Sequence, residues 1–262
     1  MFDIIYPAVA VGVIALFFGV LLAFASVVFK VETDEREEKI AEILPGANCG
    51  GCGYAGCSAF AKAIVFDNAE IGKCNLMTEE KLEEIASIMG IQATKKEKKV
   101  AFVHCNGTCS AAKDKYVYFG AADCVTASQL GGGAKECSFG CLGLGTCVAK
   151  CPFGAIEIED GVAKVDDEKC VGCGVCESVC PKGLISLKTR KKVAEVVCMS
   201  TDKGSVLKDI CANGCIGCKI CEKKCEFDAI KVENNLARID RDKCTGCGAC
   251  ADACPKKVIK IM

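Results

Sequence analysis

Residues 244–255 read CTGCGACADACP, a run with the spacing C-x2-C-x2-C-x3-C in which a proline follows the last cysteine. The same run, again closed by a proline, occurs 74 residues earlier. Nine cysteines have a counterpart at this one offset without gaps, and they are Cys124, Cys137, Cys141, Cys147, Cys151, Cys170, Cys173, Cys176 and Cys180. An internal repeat of this length predicts a duplicated module, with copies in residues 117–190 and 191–262.

The spacing of these runs suits thiolate ligation of iron–sulfur cubanes. Three cysteines at short intervals wrap one cluster, while the fourth points away and ligates another, which is the bacterial ferredoxin pattern. Gly246 and Gly248 let the backbone approach the cluster closely. Zinc is the alternative, but zinc sites typically use two separated C-x2-C pairs. The triple spacing therefore favours [4Fe–4S] clusters.

Exchange of the fourth ligands between paired runs predicts three complete ligand sets. The first set is Cys215, Cys218 and Cys221 with Cys254. The second is Cys244, Cys247 and Cys250 with Cys225, and the third is Cys170, Cys173 and Cys176 with Cys151. The remaining run is irregular, because Leu144 stands where the second module has a cysteine. We expect Cys137 to complete a four-iron site there. The alternative is a three-iron cluster that leaves Cys137 free and uses only Cys141, Cys147 and Cys180.

A separate glycine-rich loop nearer the N-terminus carries Cys49, Cys52 and Cys57, with Cys74 further on. Four glycines within nine residues suit a loop that folds tightly about a cofactor, and the phosphate-loop ending is absent. We therefore expect a small [4Fe–4S] domain in residues 31–92. Its last element is an amphipathic helix over residues 78–89 with Thr78 as N-cap.

Five cysteines remain outside these sets, and they are Cys105, Cys109, Cys124, Cys198 and Cys211. Four of them suffice for a sixth cluster, whose ligands we expect to include Cys105-x3-Cys109 and Cys124. Burial as small apolar thiols is the alternative, and the spacing does not decide. His104, the lone histidine, is a further candidate ligand. Residues 93–116 are interpreted as a linker with extra cysteines. Its basic run, Lys95-Lys96-Glu97-Lys98-Lys99, is either a solvated connection or a docking patch for an acidic partner.

An uncharged N-terminal stretch of 26 residues, Ile4–Phe29, predicts a single transmembrane helix within residues 1–30. As a helix it is about 39 Å long, enough to cross a hydrocarbon core of about 30 Å. A cleaved signal peptide is the alternative, but no Lys or Arg precedes the stretch, and the stretch is longer than the apolar region of a signal peptide. Basic residues follow it, so the C-terminal bulk is expected in the cytoplasm, where dense cysteine indicates metal more often than disulfides.

Composition narrows the function classes. Cysteine accounts for 25 of 262 residues, and the formal net charge of −1 argues against a nucleic-acid binder. No nucleophile–base pair, phosphate loop or dinucleotide fingerprint is visible. The predicted fold class is α+β, with the transmembrane helix and the [4Fe–4S] domain followed by tandem ferredoxin-like modules. Five to six [4Fe–4S] clusters in one membrane-tethered chain indicate electron transfer.

The combination resembles the B subunit of the Rnf electron-transport complex over essentially the whole chain. The resemblance rests on the leading apolar helix, the residues Glu42-Ile43-Leu44-Pro45, the Cys49–Cys57 loop with Cys74, and the ferredoxin modules. It implies a cell (inner) membrane complex that couples electron flow between reduced ferredoxin and NAD to Na+ or H+ translocation. The chain would relay electrons between soluble ferredoxin and the membrane core, beside other membrane and peripheral subunits that hold the flavins and the nicotinamide site.

Two other function classes are compatible with part of the pattern. A membrane-anchored polyferredoxin could serve a hydrogenase or another reductase without ion pumping, and what copurifies would distinguish it. A self-contained enzyme acting on a small molecule would need an open metal site or a cofactor pocket, and the sequence shows neither.

Overall fold

A computed structural model describes residues 12–24, 34–92 and 98–262. Residues 12–24 are helical, and their large apolar side chains are exposed. The remainder of the predicted transmembrane span, and Lys95, Lys96 and Glu97 of the predicted linker, lie outside the described residues. In the part of the chain that the structure describes, no helix combines the length and the apolar character that crossing a bilayer requires.

The N-terminal domain is helical and packs around one small core. Its elements are α1 (Glu35–Ile43), α2 (Cys57–Phe66), a 3-10 turn (Ile71–Lys73) and α3 (Glu79–Met89). The predicted last helix is confirmed, since the Thr78 side chain caps it by accepting a hydrogen bond from the Lys81 N–H. Leu82 and Ile85 turn their apolar face inward against Phe60 of α2 and Ile40 of α1.

The first module contains two antiparallel strand pairs with short helices between them. Its elements are β1 (Lys99–Val103), α4 (Cys124–Gln129), α5 (Thr146–Ala149), β2 (Ile156–Glu159), β3 (Val162–Val165), α6 (Val175–Val179) and β4 (Ile185–Thr189). Strand β1 lies inside the segment that the sequence predicts to be a linker, yet it pairs with β4 from Lys99↔Thr189 to Val103↔Ile185. The first module thus includes residues that precede its predicted start.

The second module repeats this arrangement. Its elements are β5 (Ala194–Val196), α7 (Gly204–Ile210), α8 (Ile220–Lys224), β6 (Ile230–Glu233), β7 (Leu236–Ile239), α9 (Ala249–Asp252) and β8 (Ile259–Ile261). Strand β5 pairs with β8, as β1 pairs with β4. Each module also contains a hairpin, β2–β3 turning at Asp160-Gly161 and β6–β7 at Asn234-Asn235. The alternation of apolar residues around these two turns predicts both hairpins from the sequence.

The two modules pack against each other through reciprocal contacts. Phe102 of β1 packs on the core of the second module, and Met262 at the C-terminus packs on the core of the first. Arg241 of the second module contacts the buried Glu195 carboxylate and donates a hydrogen bond to the Thr189 carbonyl at 2.7 Å. Apolar packing and the hydrogen bond from Arg241 to Thr189 therefore both hold the interface, while Glu195 fixes Arg241 within the second module.

Candidate iron–sulfur sites

The four N-terminal cysteines line one cavity of about 390 Å3. Three of them, Cys49, Cys52 and Cys57, lie on the glycine-rich loop that leads into α2, and Cys74 follows the 3-10 turn. The Asn48 side-chain carbonyl accepts a hydrogen bond from the Cys57 N–H at 2.8 Å, which holds the loop against the start of the helix. The structure thus brings this predicted set together.

This N-terminal site abuts the first module. Cys173 lines the same cavity as the four N-terminal cysteines. Asn75 donates a hydrogen bond from its side-chain amide to the Gly172 carbonyl. At Gly51 a Cβ atom would lie 2.1 Å from the Cys173 carbonyl oxygen, so only glycine allows this approach. Two cysteine loops from different domains therefore touch.

The second module brings together the predicted set of Cys215, Cys218, Cys221 and Cys254 around a cavity of about 350 Å3. The first three lie on the loop before and within α8, and the last follows α9. Burial raises the pKa of Cys221 to about 11. Thiolate ligation at such a buried position must release a proton as the metal binds.

The remaining members of the regular sets also lie near their predicted partners. Burial raises the pKa of Cys173, and the charges of Cys49, Cys151 and Cys170 act in the same direction. In the second module burial raises the pKa of Cys250, with Cys244 and then Cys247 adding to the effect. Cys225 packs against the same core as Cys244 and Cys250.

The irregular run of the first module differs from its predicted grouping. The cavity that Cys141, Cys147 and Cys180 line, about 370 Å3, has Cys124 as its fourth cysteine rather than Cys137. Cys124 is the first residue of α4, and Asp123 caps this helix by accepting the Thr126 N–H. The Thr146 hydroxyl accepts the Cys124 N–H at 2.7 Å and donates to Asp123 at 2.8 Å. This network fixes Cys124 beside the start of α5.

Cys137 lies in a different cavity of about 360 Å3, whose other cysteines are Cys105, Cys198 and Cys211. His104 also lines this cavity, but both ring nitrogens have other partners, the Val196 carbonyl at 3.0 Å and the Ser186 hydroxyl at 2.8 Å. Burial lowers the pKa of His104. The ring thus joins β4 to β5 and leaves neither nitrogen for a metal.

A second repeat, which the single offset of 74 conceals, explains these placements. The stretch Lys99–Cys105 reads KVAFVHC, and Lys192–Cys198 reads KVAEVVC, an offset of 93. The structure supports the equivalence, because Cβ atoms at Gly172 and Gly246 would collide with the Lys99 and Lys192 carbonyls respectively. The offset is 93 residues at Cys105 and 74 residues at Cys137, so the first unit has an insertion between these two cysteines. Cys124 lies in that insertion. Comparison of the segment before the first predicted module with the start of the second would have found it.

Backbone N–H groups donate to several cysteine sulfurs at 3.4 Å. Ala101 donates to Cys170 and Ala194 to Cys244, which are equivalent positions in the two modules. Such bonds to sulfur are one of the means by which a protein sets the potential of a cluster. At Gly246 the close approach that the structure shows is to the Lys192 carbonyl, and at Gly248 glycine suits the φ of +88° at the start of α9. The approach of both glycines to a cluster stays a prediction.

The donor set fits iron–sulfur clusters. All 25 cysteines are free thiols. Three cavities are lined by four cysteines each, and the N-terminal cavity is lined by its own four cysteines together with Cys173. Among the described residues, no three His, Cys, Asp or Glu side chains converge on a position for a single metal ion. Cys109 is exposed and lies against the β2–β3 turn, where its N–H donates to the Asp160 carbonyl at 2.9 Å.

Comparison with known families identifies these segments as iron–sulfur domains. A family model described as an Fe-S cluster matches residues 44–75. Three models described as 4Fe-4S dicluster domains match residues 136–184, 169–229 and 214–259. The second of these three crosses from the first module into the second, so the two share one pattern.

Curated relatives, each the B subunit of an oxidoreductase complex, match nearly the whole chain. That of the Na(+)-translocating ferredoxin:NAD(+) oxidoreductase complex of Acetobacterium woodii is 47% identical over 98% of this chain and 77% of its own length. The B subunit of the ion-translocating oxidoreductase complex of Methanosarcina acetivorans is 42% identical, over 93% of this chain and 92% of its own length. The B subunit of the proton-translocating ferredoxin:NAD(+) oxidoreductase complex of Clostridium ljungdahlii is 43% identical, over 100% of this chain and 94% of its own length.

Proposed function

This chain belongs to the family of B subunits of ion-translocating ferredoxin:NAD oxidoreductase complexes, and we propose that it is the iron–sulfur component that relays electrons through such a complex. The observation that carries the proposal is the contact between the N-terminal loop and the first module, where Gly51 meets Cys173. Two cysteine sites that touch suit electron transfer, because its rate falls steeply with distance.

The protein's part in this function is to hold, space and tune the sites. Bound [4Fe–4S] clusters supply one-electron redox chemistry. Cysteine thiolates fix each site on a loop, and backbone N–H groups that donate hydrogen bonds to sulfur adjust the potential of the site. The apolar cores around Cys147 and Cys221 restrict the access of water. Each task is one of position and environment, so no acid–base residue is required.

We propose five ligand sets for this relay. Four keep the membership expected from the ferredoxin pattern and the N-terminal loop, and the fifth becomes Cys124, Cys141, Cys147 and Cys180. Its support is the shared cavity and the hydrogen bonds that hold Cys124 beside Thr146. We expect Cys124→Ser to lose one cluster or convert it to a three-iron form with its own EPR signal. Cys109→Ser, the matched control, should retain every cluster, and equal spectra for both variants would contradict this set.

The membrane location also belongs to this proposal. We place a single transmembrane anchor at Ile4–Phe29, with the C-terminal bulk in the cytoplasm at the cell (inner) membrane. The exposed apolar side chains of residues 13–24 support it, because a contiguous apolar surface of this kind marks contact with lipid or with another protein. Other membrane and peripheral subunits and a soluble ferredoxin would be the partners.

The test is to purify the tagged full chain from native membranes under anaerobic conditions. We expect polytopic membrane subunits to copurify and the preparation to reduce NAD with electrons from reduced ferredoxin. Recovery with a hydrogenase, without polytopic subunits, would instead favour a polyferredoxin that pumps no ion. A chain that is recovered without any membrane partner would overturn the proposal.

A further inference from the structure

The cavity lined by Cys105, Cys137, Cys198 and Cys211 lies between the two modules. Cys105 follows β1 of the first module, and Cys198 follows β5 of the second. Leu207 and Ile210 of α7 pack with Cys137 and Cys211 in one buried apolar cluster, to which Ala112 of the first unit also belongs. Four thiols from two modules thus face one space between them.

These four cysteines form two equivalent pairs. Cys105 corresponds to Cys198 at the offset of 93, and Cys137 corresponds to Cys211 at the offset of 74. The cavity therefore receives the same two positions from each repeat unit, an arrangement with approximate twofold symmetry. Its hydrogen bonds follow the symmetry, because Cys105 sulfur accepts the Cys141 N–H and Cys198 sulfur accepts the Cys215 N–H, each at 3.4 Å.

We propose that Cys105, Cys137, Cys198 and Cys211 hold a sixth [4Fe–4S] cluster that bridges the two modules. Four convergent cysteines, with backbone N–H groups that donate hydrogen bonds to sulfur, are the ligand set of such clusters. This ligand set takes Cys137 from the irregular run, which Cys124 completes in its place. With six sets of four assigned, Cys109 alone remains unassigned among the 25 cysteines.

The walls of the site hold the cysteines in place and supply a counter-charge. Backbone bonds join the two units on both sides of Cys211, from Lys113 N to the Ile210 carbonyl at 3.0 Å and from Ala212 N to the Ala111 carbonyl at 2.7 Å. The buried Lys135 ammonium contacts the Gly107 carbonyl beside the cavity. A nearby positive charge offsets the negative charge of a cluster bound by four thiolates.

The bridging position gives the electron path its link between modules. Cys141 and Cys215, whose N–H groups donate to the bridging sulfurs, are themselves proposed ligands of the flanking sites in the first and second modules. A cluster held by these four cysteines would pass one electron from the flanking site that it oxidises to the flanking site that it reduces, with no change in bonds or protons. The inference goes beyond the proposed function, since it stands on the cysteine geometry alone.

The test compares the anaerobically reconstituted full chain with a Cys198→Ser/Cys211→Ser double variant. We expect about 24 irons and as many sulfides per wild-type chain, falling to about 20 in the double variant, together with the loss of one EPR signal of the reduced protein. Cys109→Ser, the matched control, should keep the wild-type count. Equal iron in the wild type and the double variant, or one zinc per chain beside about 20 irons, would overturn the proposal.

Lys135 variants provide a readout that leaves every ligand intact. The double variant identifies the EPR signal of the bridging cluster. Loss of the positive charge in Lys135→Met should lower the midpoint potential of that cluster, whereas Lys135→Arg should preserve it. An unchanged potential of that signal in Lys135→Met would overturn the placement beside Lys135. A chain that holds six clusters but copurifies with no membrane partner would refute the proposed function and leave this inference standing.

Discussion

Replacement of Gly51 by alanine tests how closely the N-terminal [4Fe–4S] domain approaches the first module. The new Cβ atom would lie 2.1 Å from the Cys173 carbonyl oxygen. Ordinary contacts begin near 3.4 Å, so one of the two loops must move by about 1.3 Å. Overpacking of this kind costs about 1–3 kcal/mol, which weakens the docking of the two domains about 5- to 150-fold.

The assay is EPR of the reduced full chain, combined with the rate at which the N-terminal site equilibrates with the first module. We expect Gly51→Ala to keep its iron, to lose magnetic coupling between the two adjoining sites and to equilibrate more slowly. Gly72→Ala is the matched control, because its Cβ would meet only the Glu70 side chain at an ordinary 3.8 Å. Wild-type coupling and rate in Gly51→Ala would refute the close approach.

Three further predictions concern stability and are checked by denaturant unfolding of the loaded protein. Thr78→Ala should cost about 1 kcal/mol by removing the N-cap of α3, whereas Thr78→Ser should cost little; equal losses would contradict the cap. Arg241→Met should cost about 3 kcal/mol, the lower end for a broken buried ion pair, because the buried Glu195 loses Arg241 but keeps Lys188 at 3.9 Å; adding Glu195→Gln should recover part of the loss. Asn234→Ala should cost about 1–2 kcal/mol, because its φ of +49° disfavours alanine, while Asn234→Gly should be tolerated; similar stability of the two would contradict the turn geometry.

Local patterns in the sequence predicted local structure correctly. The hairpins follow from alternation around Asp160-Gly161 and Asn234-Asn235, residues that adopt the positive φ values which tight turns need. The α3 cap at Thr78 follows from its position before an amphipathic run. In each case the determining residues lie within a few positions of one another, so no knowledge of the tertiary fold is needed.

The partners of Cys124 and Cys137 could not be predicted in this way. The first three ligands of a run are fixed by its own spacing, but the fourth arrives from a segment whose position depends on strand pairing. Cys137 is near Cys141 in sequence, yet the chain places it with Cys198 and Cys211 of the other unit. The equivalence of Cys105 with Cys198 is visible in the sequence only at the second offset of 93, and the pairing of β1 with β4, as β5 pairs with β8, supports it.

The pairing of each module's first strand with its last has an evolutionary consequence. Because β1 ends beside β4, and β5 beside β8, each unit begins and ends at the same edge. Only residues 190–193 separate β4 from β5. A gene duplication that copies such a unit in tandem therefore needs almost no new connecting sequence, as expected of domains whose termini lie close together. Chains of this architecture can lengthen by whole units while the older units keep their strand pairs.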